Sequence, residues 1–249
     1  MSEQKSGTDW AKLLTALGGI ITALAALVTA LGGFAGGCSA PPAPEATATP
    51  ILAPATAIPT AAEFSLVTPL EDDFSNAQSG WETGADADGT WGYKDGVYRI
   101  AVNVPDLAIW ANRLQPEQWT DVVVEVEGYL AAGPIDNQYG LIVRYRDQGN
   151  FYLFSVASDG LYSVQMMRND QWIDLRPWTA SQAVRQGNGV NALRVECQGS
   201  VMRFFVNDEF LTEIEDTTFP SGGIGLLAGT FIEGGVVVHF DNLVVRTAG

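Results

Sequence analysis

From Phe64 to the C-terminus, apolar and polar residues alternate in short runs separated by Gly, Asp and Asn. Leu193, Val195 and Cys197 are apolar, while Arg194, Glu196 and Gln198 between and after them are polar. This two-residue period belongs to a strand that packs one face and wets the other, and it makes Cys197 a core thiol rather than a reactive one. Runs of the same kind predict strands over 91–94, 97–102, 109–113, 122–130, 140–146, 151–156, 161–166, 171–175, 192–197, 201–206, 210–214, 224–228 and 236–245. Asp95-Gly96 and Ser158-Asp159-Gly160 lie between apolar runs and predict hairpin turns, because glycine takes positive φ without steric cost. No helical period interrupts these strands and no internal repeat organises them, so the expected fold is one all-β antiparallel sandwich or barrel.

The pattern is different before Phe64. Leu13 to Gly37 is a run of 25 residues without a charge, long enough as a helix to cross a hydrocarbon core of about 30 Å. Ser39 to Ala62 is nearly all Ala, Pro and Thr, with Pro41, Pro42, Pro44, Pro50, Pro54 and Pro59 preventing helix or ladder. In extended polyproline geometry, at roughly 3.1 Å per residue, this disordered linker would reach about 70 Å. The chain therefore divides into an N-terminal membrane anchor or lipoprotein-like leader (1–38), a Pro/Ala/Thr-rich linker (39–63) and a globular β domain (64–249).

Two outcomes for residues 1–38 compete. In one, the apolar run is a permanent transmembrane helix, with Lys5 and Lys12 on the cytoplasmic side and the globular domain outside. In the other, Ala35-Gly36-Gly37-Cys38 resembles a bacterial lipoprotein signal, which implies lipidation of Cys38 and removal of the leader. Ala35 stands where that signal usually has Leu, and Glu3 and Asp9 accompany the two lysines, so the retained span is preferred. Both place the domain outside the cytoplasm at a bacterial cell membrane. Ala25, Thr29, Gly33 and Gly37 put a small residue at every fourth position, a stripe along which helices could approach to form a homo-oligomer; ordinary small-residue content explains it equally well.

Composition narrows the chemistry. Thirteen Lys and Arg against 29 Asp and Glu give a formal net charge of -16, which repels phosphate backbones and excludes nucleic acid as a partner. The same acidity disfavours anionic polysaccharides unless a divalent cation bridges them. One His and two distant Cys supply neither a His-rich metal centre, a four-cysteine zinc site nor a disulfide framework. His239, between Val238 and Phe240, is expected to be a packed strand residue rather than a base.

Asp72-Asp73-Phe74-Ser75-Asn76 with Ser79-Gly80-Trp81, Tyr139 to Tyr145, Asn150 to Phe154, Val206-Asn207-Asp208 and His239 to Val245 follow in an order that resembles the concanavalin A-like lectin/glucanase family. The likeness is strongest to bacterial domains of the 3-keto-disaccharide hydrolase-like, family 16 glycoside hydrolase-related type, and it covers residues 70 to 247. The resemblance implies a two-sheet antiparallel jelly-roll sandwich whose concave face commonly binds glycans. It also implies a structural Ca²⁺ held by an acidic residue near the first strand and an Asp on the last, here Asp73 and Asp241; capping of a turn by Asp241, or its pairing with Arg246, is the equal alternative.

The family's Glu, Asp and Glu on one strand face do not recur. Glu125 with Glu127 and Glu213 with Glu215 are the nearest approach, and a solvated polar face accounts for each pair. Sugar faces stack on aromatic rings and planar polar groups fix hydroxyls, which selects Arg144, Tyr162, Trp172 and Arg176 as the candidate ligand-binding groove. The expected protein is a membrane-tethered, extracytoplasmic binding module for carbohydrate or cell-envelope polymer, without catalysis. The alternatives are a glycoside hydrolase-like enzyme of the same fold and an architectural surface protein.

Overall fold

The computed structural model describes residues 66–114 and 118–248. The expected membrane segment and linker, and Cys38, lie outside the described residues. Within them the chain forms strands only. These are β1 (Leu66–Asp72), β2 (Gly84–Ala85), β3 (Gly89–Lys94), β4 (Val97–Val102), β5 (Ala108–Asn112), β6 (Val122–Ala132), β7 (Asn137–Asp147), β8 (Asn150–Val156), β9 (Leu161–Arg168), β10 (Gln171–Ala180), β11 (Asn191–Gln198), β12 (Val201–Val206), β13 (Glu209–Glu215), β14 (Gly223–Thr230) and β15 (Val236–Ala248).

Every pairing is antiparallel. One sheet has nine strands in the order β13-β12-β11-β6-β15-β4-β3-β2, with β1 also paired to β15; the other has six, in the order β10-β9-β8-β7-β14-β5. The expected two-sheet sandwich is what forms, and strands distant in sequence lie side by side within each layer. β1 and β2 carry no alternation of their own, and they close onto strands the rest of the chain has already built.

The turns follow residue chemistry. Asp95 (φ 54°) and Gly96 (φ 84°) are both left-handed, as a two-residue hairpin of the primed type requires. Asn169-Asp170 and Asn207-Asp208 meet the same demand with Asn and Asp, which tolerate this region because their short side chains bond locally.

The core lies between the sheets. Phe154 and Tyr162 on the six-stranded sheet meet Phe204 on the nine-stranded one, and Tyr139 meets Phe240 edge-on at 6.3 Å. Cys197 is buried, and burial pushes its thiol up to about 12. A second aromatic group, Phe74, Trp81, Tyr93 and Tyr98, fills the end beneath β1. Asp72 anchors it: its carboxylate accepts from Phe74 N (2.9 Å), Ser79 Oγ (2.6 Å) and Trp81 Nε1 (3.0 Å). Because the Ser79 proton goes to Asp72, the Tyr93 hydroxyl donates to Ser79 Oγ at 2.8 Å, and it accepts from Trp81 N at 3.0 Å.

Candidate functional site

Strand alternation leaves each sheet a face turned away from the other. On the nine-stranded sheet that face is a charge ladder. Glu125 takes Arg246 at 2.5 Å and Arg194 at 3.7 Å; Arg194 also holds Glu196 at 2.6 Å and lies 4.0 Å over the Phe205 ring. Glu127 accepts from Asn242 Nδ2, Glu213 pairs with Arg203, and Glu215 accepts from Ser200. Both carboxylate pairs picked out in the sequence are therefore members of a paired polar surface. His239 belongs to the same face, where its Nδ1 lies 3.0 Å from the Tyr129 hydroxyl and burial, with Arg99 nearby, lowers its pKa.

The outer face of the six-stranded sheet differs in kind. Its outward positions are Ala108, Trp110 and Asn112 on β5, Gly225, Leu227 and Gly229 on β14, Gln138, Gly140, Ile142 and Tyr145 on β7, Phe151, Leu153 and Ser155 on β8, Ser163, Gln165 and Met167 on β9, and Trp172 and Asp174 on β10. Phe151 lies at the centre of a ring cluster, 5.5 Å from Trp110, 6.0 Å from Tyr145 and 5.7 Å from Trp172. These rings run across the strands, with Phe151 buried and the other three half-buried.

Beside the rings a polar relay crosses four strands. Gln138 Nε2 donates to Ser155 Oγ (3.1 Å) and Gln165 Oε1 (2.9 Å), Ser155 and Ser163 share a hydrogen bond of 3.0 Å, and Gln165 Nε2 donates to Asp174 Oδ1 (2.9 Å). At the opposite edge Glu82 and Asn112 are tied together. Glu82 N donates to Asn112 O (3.0 Å), while Asn112 N and Nδ2 donate to Glu82 Oε2 at 3.1 and 3.4 Å. The Asn112 amide also bonds the Tyr145 hydroxyl, whose pKa is pushed up to about 12, first by burial and then by the Glu82 and Asp147 charges, so it stays a neutral phenol.

Of the four residues selected in the sequence, only Trp172 stands on this face. Arg144 breaks the alternation: at φ 51° it turns inward, is buried, and donates to Phe219 O (3.1 Å) and Gly199 O (2.5 Å). The bulge it creates between Val143 and Asp147 brings Tyr145, rather than Arg144, to the outer face. Tyr162 points into the core and donates to Leu211 O at 3.2 Å. Arg176 follows a second register shift, between Asp174 and Arg176, and its Nε donates across to Thr212 Oγ1 at 3.1 Å. The structure does not bring these four together, and an unbroken two-residue period is the assumption that fails. Trp110 was legible from the Ala108, Trp110, Asn112 alternation; Tyr145 was concealed by the bulge.

Asp73 and Asp241 do come near one another. Burial, then the charges of Glu127 and Asp73, raise the Asp241 pKa. Asp73 Oδ1 already accepts from Ser75 N and Oγ, and Asp241 Oδ1 from Asn242 N at 2.7 Å. Arg246 pairs with Glu125 and leaves Asp241 to its turn. Among the described residues no group of three or more His, Cys, Asp or Glu side chains is placed to hold a metal ion. The two carboxylates fit a calcium ion only if backbone oxygens or water complete the set of six to eight ligands.

Two packed antiparallel sheets with this strand order define a concanavalin A-like jelly roll. Solved structures with the same fold include the carbohydrate-binding module CBM66 from Bacillus subtilis, with a TM-score of 0.55 and 18% identity over 68% of this chain and 96% of that one. A Bacillus licheniformis β-glucanase superposes at a TM-score of 0.54 with 11% identity, over 72% of this chain and 97% of that one. The GH43 protein BlXynB from Bacillus licheniformis does so at 0.55 and 16%, over 72% of this chain but only 39% of the larger protein. No protein-family model matches the sequence, and no curated protein matches it. The fold is thus one that binding modules and glycoside hydrolases share, and what this chain does has to be argued from its own face.

Proposed function

We propose that the domain is a carbohydrate-binding module, tethered outside the cell by its N-terminal segment, and that it binds without turnover. The observation that carries this reading is the outer face of the six-stranded sheet: a ring cluster set across the strands and a built polar row beside it, with Asp174 and Glu82 at its two edges and Asp147 at the end of β7. Rings of this kind stack on sugar faces while fixed amides and hydroxyls hold sugar hydroxyls. Retaining hydrolysis needs two carboxyls about 5–5.5 Å apart and inverting hydrolysis about 6.5–9.5 Å. Asp174 on β10 and Glu82 beside β5 are separated by the width of six strands, about 24 Å at roughly 4.8 Å per strand. The tether rests on the sequence alone, on the uncharged run from Leu13 to Gly37. Calcium at Asp73 and Asp241 is an accessory proposal, supported by the Glu127 and Asp73 charges that reach Asp241.

Affinity electrophoresis of the domain through gels containing polysaccharide, with analysis of soluble products after prolonged incubation, tests the reading. Retarded migration that Trp172→Ala abolishes, with no oligosaccharide released, supports it. Released product would make the domain an enzyme, and unretarded migration on every polysaccharide would leave the surface-architecture alternative.

A further inference from the structure

The charges around the ring cluster are of one sign. Asp147 ends β7 two residues after Tyr145, and Glu82 lies beside β5; both charges reach the Tyr145 hydroxyl and, after burial, raise its pKa. Each carboxylate is anchored through one oxygen. Glu82 Oε2 accepts from Asn112 N and Nδ2 at 3.1 and 3.4 Å, and Asp147 Oδ1 accepts from Gly149 N at 2.9 Å and Asn150 Nδ2 at 2.7 Å. Glu82 is half-buried and Asp147 exposed. On the far side of the cluster Asp174 follows Trp172 along β10, held by Gln165 Nε2 at 2.9 Å.

No cation answers these carboxylates from the face itself. Among the described residues, none of the outward positions of the six strands is Lys or Arg. The arginines at the bulges and strand ends have other partners: Arg144 the Phe219 and Gly199 carbonyls, Arg146 the Ser221 carbonyl at 3.3 Å, Arg176 Thr212, and Arg168 the charge of Asp216. Arg113 follows Asn112 with its Nε enclosed, its backbone bridged to Trp81, and Lys94 pairs with Asp95 in the other sheet. Half-buried rings bordered by anchored carboxylates suit an ammonium group, which is attracted both to a ring face and to a carboxylate oxygen. An anionic polymer would be repelled, and an uncharged sugar would use the rings alone.

We infer that the ligand is a glycan bearing free amino groups, a deacetylated amino-sugar polymer, and that Glu82 and Asp147 are its specificity-determining residues, receiving the ammonium beside the Tyr145 ring. This inference rests on the carbohydrate-binding reading of the same face. N-acetylation removes the charge these carboxylates select, so the acetylated form of the same chain is the weaker ligand.

The test is calorimetric titration of the soluble domain with short oligomers of glucosamine and with the same oligomers N-acetylated, at slightly acid pH and at low and high salt. Short ligands limit general attraction to a protein of net charge -16. Wild type, Trp172→Ala, Asp147→Asn and Glu82→Gln are compared with Glu209→Gln, which removes one charge from the edge strand β13 of the other sheet, and thermal melts confirm folding. The free-amine oligomers should bind about tenfold or more tightly than the acetylated ones, and salt should narrow the difference. Asp147→Asn and Glu82→Gln should each weaken the free-amine oligomers about tenfold while Glu209→Gln leaves them unchanged, and Trp172→Ala should weaken both oligomers. Equal or tighter binding of the acetylated oligomers, or a loss from Glu209→Gln as large as that from Asp147→Asn, overturns the inference and spares the binding reading. Binding of neither oligomer overturns the inference; retardation in gels of uncharged polysaccharide then spares the binding reading, and its absence overturns that as well. Should Glu82→Gln fail to fold, the exposed Asp147→Asn decides.

Discussion

Replacing Asp72 with alanine is the perturbation whose cost can be worked most fully from the contacts. The carboxylate accepts three hydrogen bonds, from the buried Phe74 amide, the Ser79 hydroxyl and the buried Trp81 indole. Alanine leaves the Phe74 amide and the Trp81 indole without an acceptor, while Ser79 can turn its proton to the Tyr93 hydroxyl. A buried donor left unsatisfied costs about 1–3 kcal/mol, and two of them near the middle of that range make the sum about 3–5 kcal/mol. For a domain of this size each kcal/mol corresponds to about 2–4 °C of Tm, which gives a fall of roughly 6–20 °C. The effect should extend to the face, because Trp81 is followed directly by Glu82, which holds the Asn112 amide. Thermal unfolding followed by tryptophan fluorescence gives the stability, and gel affinity gives the site. A Tm within about 2 °C of wild type would refute the claim that Asp72 anchors this end of the sandwich.

Three other predictions are independent of it. Asp136 has its pKa raised, first by burial and then by Asp159 and Glu233. An acid whose folded pKa is raised opposes folding when ionised, so Asp136→Asn should raise Tm slightly at pH 7, by about 1–2 °C, and the gain should vanish as the pH falls below the carboxylate range; a constant gain at all pH values would contradict this. In a Cys38→Ser background, Cys197 should resist a maleimide at pH 8 in the native state and react once the domain unfolds, and rapid native labelling would show that the thiol is not in the core. Added calcium should raise Tm relative to EDTA and Asp241→Asn should remove the difference; coincident melts would discard the ion.

How far the sequence carried the structure depended on whether a residue's direction followed from its neighbours. Val97 to Val102 and Val201 to Val206 were legible to the residue, because a two-residue period between Asp-Gly or Gly-Ser turns leaves no other register. β1 was not legible, because its partner is the last strand of the chain and nothing local marks the pairing. The site suffered more. Side-chain direction reverses at a bulge, and the left-handed Arg144 and the register shift before Arg176 each turned a predicted groove arginine away from the outer face. Trp172 precedes its bulge and kept its direction. The tie between Glu82 and Asn112 had no sequence signal at all, since it joins residues some thirty positions apart.

The measurement that tests the central claim most directly is amide hydrogen exchange of the domain with and without a polysaccharide that retards it. New protection is expected on β5, β7, β8, β9 and β10, the strands that carry Asn112, Tyr145, Phe151, Gln165 and Trp172. Protection confined to β6, β11 and β15, beneath the Glu125 charge ladder, would place the ligand on the opposite face and contradict the account.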